Sequence, residues 1–411
     1  MPFHTHTLPN GLQILGETNP SALSAALGFF VRTGARDEVD GESGVTHFLE
    51  HMIFKGTERR SAVQVNRDFD RIGADNNAFT SEENTVFHAA VLPEYLPQAV
   101  DILADILRPS LRVEDFTTEK EVIQDEIVRY DVQPSWAAYD NAKRIFFGKH
   151  PLGQSILGTK ESITALTRDQ MADYFRRRYV APNILAVCAG NFDWPAFVKL
   201  MEEKCGHWEA GQTGRRGLTE TKGSGGAHVI TREKVSQEYV LLWSPAPTAE
   251  SPLRYPAHVL TSVIGDYTGS RLFWALVDPG LSDSADMGYY EYEAAGSFIT
   301  SYSCQPEGTA ECRALCLEIL HDIQKNGVSE DELKLARTKL ASREVRAAER
   351  THRRMLGIGR DWTYLGVYRS LDEELAAIDA VDQKAIRELL DRYPLDNLTT
   401  VALGPLAALD G

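Results

Sequence analysis

His47-Phe48-Leu49-Glu50-His51-Met52-Ile53-Phe54-Lys55-Gly56-Thr57 opens with two imidazoles and a carboxylate at helical spacing. In an α-helix the side chains at i, i+3 and i+4 share a face, so His47, Glu50 and His51 point the same way. Phe48, Leu49, Met52, Ile53 and Phe54 form an apolar run beside them. Two neutral imidazoles suit a borderline-soft, redox-inert cation such as Zn²⁺, which in catalytic sites takes three protein ligands and keeps one position open. A histidine pair next to an apolar run also occurs as plain surface or core decoration. A third ligand must therefore be found elsewhere in the chain.

The segment Glu119-Lys120-Glu121-Val122-Ile123-Gln124-Asp125-Glu126 supplies candidates. With Val122, Ile123 and Ile127 as its apolar stripe it reads as a helix running to about Arg129. Glu119 and Glu126 lie two turns apart on one face of it. A solvated acidic face accounts for such a run equally well. A pair of carboxylates on one side also offers a ligand and the outer partner that metal-bound imidazoles need. The order H-x-x-E-H, the reverse of H-E-x-x-H, is one of the recognised zinc-peptidase signatures.

Several separated stretches carry a resemblance to one family. Gly44-Val45-Thr46 through Thr57, then Ile72-Gly73-Ala74-Asp75-Asn76-Asn77-Ala78-Phe79-Thr80-Ser81-Glu82-Glu83-Asn84-Thr85, and Val122 to Glu126 together resemble the pitrilysin/insulinase zinc peptidases. Within that family the chain is similar to the short-chain branch of the mitochondrial processing peptidase and its zinc-binding beta subunit. The resemblance implies His47, His51 and Glu126 as ligands of one Zn²⁺ per chain, Glu50 as general base and Glu119 as a supporting catalytic-site carboxylate. It also implies that Asn77, Ala78, Phe79 and Thr80 form a strand that binds extended substrate by edge addition. An ordinary sheet strand is the plainer reading of those four residues.

Composition is compatible with this without deciding it. At 411 residues with 43% hydrophobic and 25% charged, the chain can bury a large core and should divide into at least two domains. The net charge of −16 excludes nucleic acid as an expected partner, because phosphate binding needs a positive face. That acidity either lines a cleft for cationic peptides or only solubilises the surface. The five cysteines, Cys188, Cys205, Cys304, Cys312 and Cys316, have no framework spacing and point to reduced thiols. Met1-Pro2-Phe3-His4-Thr5-His6 carries neither a basic nor an apolar leader pattern, and no run of about 18 apolar residues occurs. A cytoplasmic protein without membrane contact is the expectation.

The expected fold class is α/β (α+β), with two homologous domains, each a mostly antiparallel sheet carrying helices. Asn10-Gly11 signals a hairpin, Ala26–Val31 and Thr85–Leu92 read as strands, Glu94–Leu107 as a helix and Ile184–Gly190 as a strand. Gly- and Thr-rich sequence without apolar periodicity follows. It divides residues 1–205, the metal-bearing domain, from 229–411 through a linker at 206–228. The second half repeats the plan: strand Tyr239–Trp243, helix Tyr255–Ile264 and a long helix opened by the capping box Ser329-x-x-Glu332. The family resemblance implies that two such halves form half of a clam-like chamber, completed by a second subunit.

Thr268-Gly269-Ser270-Arg271-Leu272-Phe273 resembles the family's small-residue-plus-Arg-Leu-Phe helix. In catalytically complete members an arginine and then a tyrosine follow, and both reach the substrate near the zinc. Aligned through Gly280-Leu281, those positions hold Leu276 and Asp283 here. Arg271 lies too early, while Tyr289 and Tyr290 are possible substitutes under a shifted alignment. Donors aimed at a developing oxyanion are worth about 10²–10³ in rate. The expected protein is therefore a zinc endopeptidase acting on oligopeptides or extended segments, as the metal-bearing half of a heterodimer whose partner lacks the zinc motif and supplies Arg and Tyr. A homodimer is the alternative assembly, and a non-catalytic peptide-binding scaffold the alternative function.

Overall fold

Two sheets organise the computed structural model, which describes residues 1–409. Strands β1 (Phe3–Thr7), β2 (Gln13–Thr18), β3 (Ala25–Val31), β4 (Asp75–Thr80), β5 (Thr85–Val91) and β6 (Ile184–Gly190) form the first, in the order β1-β2-β6-β3-β5-β4. Strands β7 (Gly226–Thr231), β8 (Glu238–Pro245), β9 (Ser284–Glu291), β10 (Gly296–Cys304) and β11 (Thr399–Gly404) form the second, in the order β7-β11-β8-β10-β9. Each sheet has one parallel pair, β2 with β6 and β7 with β11, and is otherwise antiparallel. The two orders superpose once β1 is set aside, which is the internal repeat expressed as topology. The Asn10-Gly11 hairpin joins β1 to β2, with Asn10 Oδ1 accepting from Leu12 N at 3.1 Å.

The helices repeat as well. Helix α1 (Val45–Ile53) lies between β3 and β4, followed by α2 (Ala62–Arg71). After β5 come α3 (Leu96–Ile106), α4 (Val113–Asp131), α5 (Pro134–Phe147), α6 (Lys160–Ala165) and α7 (Arg168–Arg178), and α8 (Trp194–Cys205) follows β6. In the second half α9 (Arg254–Gly265) takes the place of α1. Between β10 and β11 stand α10 (Thr309–Asn326), α11 (Glu330–Ala348), α12 (Thr351–Leu365), α13 (Leu371–Asp379) and α14 (Gln383–Arg392). The expected capping box starts α11, with Ser329 N donating to Glu332 Oε2 at 2.8 Å and Glu332 N to Ser329 Oγ at 3.3 Å.

The compact units differ from the contiguous 1–205 and 229–411 domains expected from the linker. One comprises Met1–Val128, Gln154–Arg216 and Arg346–Ser370; the other comprises Arg129–Gly153, Gly217–Val345 and Leu371–Gly411. The equivalent helices α5 and α12 are thus exchanged. The physical reason is where their apolar faces find cover. Met355 and Ile358 of α12 are buried with Leu15, Phe30, Leu185 and Val187 of the first sheet. Ala138, Ala142 and Phe146 of α5 are buried with Trp243, Ile299 and Leu403 of the second. Gly359 permits the close approach of α12, since a Cβ there would lie 2.1 Å from Phe30 Cζ. All five cysteines are buried free thiols. Among the described residues no helix is long and apolar enough to cross a membrane.

Candidate metal centre

The site is built on α1. Its start is capped from outside: the Glu38 carboxylate accepts from Gly44 N at 2.8 Å and from Thr46 N at 2.9 Å. Burial pushes Glu38 up to about 8 even so. Val45, Phe48, Leu49, Met52 and Ile53 are buried in the core of the first unit, as their apolar run requires. Phe48 stacks on Phe116 of α4 with ring centroids 4.7 Å apart, and Ile123 of α4 belongs to the same core. That packing leaves 47, 50 and 51 on the helix face turned to the same side of α4 as Glu119 and Glu126.

His47, His51 and Glu126 come together so that one donor atom from each lies within 4.8 Å of the others. His51 Nε2 is 3.5 Å and His47 Nε2 3.9 Å from Glu126 Oε2. Donor atoms bound tetrahedrally at ~2.0–2.1 Å from one ion stand about 3.4 Å apart, so the group fits a divalent cation held by two imidazoles and one carboxylate. His47 is buried, and burial, then the charge of neighbouring His51, holds its imidazole down to about 3, neutral with a free lone pair. Burial alone would lower His51 too. The hydrogen bond to Glu119 and the charges of Glu126, Glu119 and Glu50 outweigh it and raise the imidazole above its ordinary value. The same three carboxylates favour a cation at that point.

The remaining site residues surround this group. His51 Nδ1 is 2.9 Å from Glu119 Oε1, which selects the tautomer whose Nε2 faces Glu126. Glu119 Oε2 in turn meets Lys55 Nζ at 2.5 Å. Burial would raise Glu119, but the bonds from His51 and Lys55 outweigh it and hold it below the ordinary carboxylate range. Glu50 lies within electrostatic reach of His51 and Glu126; burial raises it, against the Thr80 hydrogen bond and the charge of His51. Thr80 Oγ1 donates to Glu50 Oε2 at 2.6 Å.

Asn77–Thr80 lie on β4, an edge of the first sheet that pairs only with β5 among the described residues. Its residues alternate, Asp75, Asn77 and Phe79 exposed and Asn76, Ala78 and Thr80 half-buried. β4 packs against the helix that carries Glu50. Lys55 is absent from the site residues expected from sequence, and Thr80 is expected there as part of the substrate strand, without its side-chain bond to Glu50. The signal for Lys55 was its place one turn past His51 in the quoted motif; the Thr80 contact had none.

In the second unit, Leu276 is fully buried in the core. Asp283 accepts from Gln237 Nε2. Arg271 is engaged by Glu332 and Asp322, with Nε to Glu332 Oε1 at 2.7 Å and Nη1 to Asp322 Oδ2 at 2.6 Å. Tyr289 donates its hydroxyl to Pro247 O at 2.8 Å.

Comparison with known proteins adds the family. Residues 13–160 match the insulinase profile of peptidase family M16, and residues 165–340 match the profile described as the peptidase M16 inactive domain. The chain belongs to the M16 peptidase family. Relatives in this family include an uncharacterized zinc protease of Mycobacterium bovis, 32% identical over 97% of this chain and 92% of its own length. One from Bacillus subtilis is 30% identical over 97% of this chain and 98% of its own. The M16 fold is shared with a protease from Helicobacter pylori (TM-score 0.91, 20% identity, 98% of this chain and 99% of that one). It is shared also with the M16 inactive-domain protein of Pseudomonas fluorescens (TM-score 0.90, 16% identity, 99% of each chain).

Proposed function

We propose that this M16 chain is a zinc-dependent endopeptidase acting on oligopeptides or extended, unfolded segments. The observation that carries the reading is the convergence of His47, His51 and Glu126 beside Glu50. His47 and His51 through Nε2 and Glu126 through a carboxylate oxygen would hold the ion. When bound, zinc supplies Lewis acidity toward water and toward a peptide carbonyl.

The chain's own groups do the rest. Glu50 takes the proton of the attacking water and delivers it to the leaving amine nitrogen. Thr80 holds one Glu50 oxygen and leaves the other for that transfer. Glu119 fixes the His51 ring. The free edge of β4 pairs with an extended substrate backbone, selecting conformation more than sequence.

A homologous partner subunit would supply the missing Arg and Tyr donors. Supporting this, Leu276 is in the core, Asp283 and Arg271 are engaged within the second unit, and the Tyr289 hydroxyl is bonded to Pro247 O. The test is hydrolysis of a quenched fluorescent peptide library by the zinc-loaded chain, with Glu50→Gln as control. Cleavage lost in the control establishes a peptidase that needs no partner. Inactivity rescued by a homologous subunit establishes the split site. Inactivity that no homologous subunit restores leaves a peptide-binding scaffold and sinks the proposal.

A further inference from the structure

We propose that Lys55 is a positioning residue for the metal centre: its ammonium clamps the Glu119 carboxylate against His51 and so aims His51 Nε2 at the point shared with Glu126. The inference rests on the zinc-centre reading above and extends it to a residue outside the donor set.

The argument begins with register. His47, His51 and Lys55 follow one another at i, i+4 and i+8 along α1 and the turn that ends it, so they form one stripe. That stripe meets α4 in reverse order. His47 and His51 face Glu126, His51 and Lys55 face Glu119, and the Lys55 carbonyl accepts from Arg112 Nη2 at 2.6 Å just before α4 begins. Arg112 is itself held by Asp115, its Nε donating to Oδ2 at 2.7 Å. Antiparallel α1 and α4 are thus joined by a ladder of polar rungs, and Lys55 belongs to the two farthest from Glu126.

The turn fixes where Lys55 sits. Lys55 N donates to Met52 O at 3.1 Å. Gly56 follows at φ +114°, where a Cβ would lie 2.6 Å from Arg60 O and 2.9 Å from Arg112 Nη2. A surface lysine ordinarily keeps its head in water. Here the ammonium turns to a carboxylate whose side chain is only 4% exposed.

The need for a second anchor follows from carboxylate geometry. The terminal torsion of a glutamate is broad, so one hydrogen bond to His51 leaves the Glu119 carboxylate free to rotate. Holding Oε1 on His51 and Oε2 on Lys55 fixes the plane of the group and, through it, the imidazole. Outer partners of metal-bound histidines are worth about 10–100-fold in metal affinity. Lys55 stands one bond further out, and an effect of about 3–10-fold is expected.

The test is Zn²⁺ competition against a chromogenic chelator, using the full chain and its Lys55→Met, Glu119→Gln, Lys55→Met/Glu119→Gln and Glu126→Gln variants. Lys55→Met should weaken zinc about 3–10-fold, and should weaken it no further when Glu119→Gln is already present. Wild-type affinity in Lys55→Met, or losses that multiply in the double variant, would overturn the inference. If Lys55→Met does not fold, judged by melting of the metal-free protein, Lys55→Gln is read by the same criteria. Zinc binding that Glu126→Gln abolishes but Lys55 does not influence overturns this inference alone. Zinc binding absent from the wild type, or insensitive to Glu126→Gln, overturns the metal-centre reading with it.

Discussion

Replacing Thr80 by valine would keep the shape of the β4 side chain and delete one interaction, its hydrogen bond to Glu50 Oε2 at 2.6 Å. A hydrogen bond at that distance to an ionised acceptor is a charge-assisted one, and such bonds contribute about 1.5–3 kcal/mol. At 1.36 kcal/mol per tenfold in rate, the expected loss in kcat/KM is about 10–160-fold. The pH profile carries a second signature. A general base must be ionised, so activity falls as pH drops through the Glu50 pKa, which burial has already raised. The Thr80 bond opposes that rise; without it the acid limb moves to higher pH. The assay is kcat/KM against pH on a peptide substrate, with Thr80→Ser as the variant that restores the hydroxyl. A Thr80→Val profile superimposable on the wild type would refute the claim that β4 holds the base.

Glu126→Gln should abolish zinc-induced stabilisation, which for the wild type amounts to about 2.7 kcal/mol at 100 times the dissociation constant; thermal melting with and without chelator reads it, and equal shifts in both proteins would count against Glu126 as a ligand. Gly359→Ala should destabilise by about 1–3 kcal/mol through overpacking, because the new Cβ would meet Phe30 ring atoms at 2.1–2.5 Å; an unchanged denaturation midpoint would show that α12 yields without cost. Burial would raise Glu332, but the bonds from Arg271 and Ser329 hold it at about 2. This depressed carboxylate contributes stability above its unfolded value near 4.5, lost as pH falls toward about 2. With the Glu332 side chain 29% exposed and so partly screened by solvent, the effect is about 1 kcal/mol, and Glu332→Gln should flatten the stability profile over that acid range.

Much of the candidate site was legible because helical geometry is local. The i, i+3, i+4 spacing of His47, Glu50 and His51 specifies a shared face wherever the helix is placed, and Glu119 and Glu126 share one by the same rule. The strand and cap signals in Asn10-Gly11, Ile184–Gly190 and Ser329-Glu332 likewise act within a few residues, and each appears as read. The donors of the second half were legible only as absences at Leu276 and Asp283. Their burial and bonding with Gln237 depend on neighbours that sequence order does not give.

Amphipathic periodicity says that α5 and α12 each have a face to cover, but not which sheet covers it. Only packing decided that α12 lies on the first sheet and α5 on the second, and with it the interleaved units. In the same way the sequence alone determined that this chain carries a histidine pair, a base and two spaced carboxylates. That Thr80 would reach Glu50 across 30 residues, and Lys55 would close on Glu119, was decided by the approach of β4 and α4 to α1. Spacing within one helix is set by bond geometry; contact between elements is set by how their apolar faces pack.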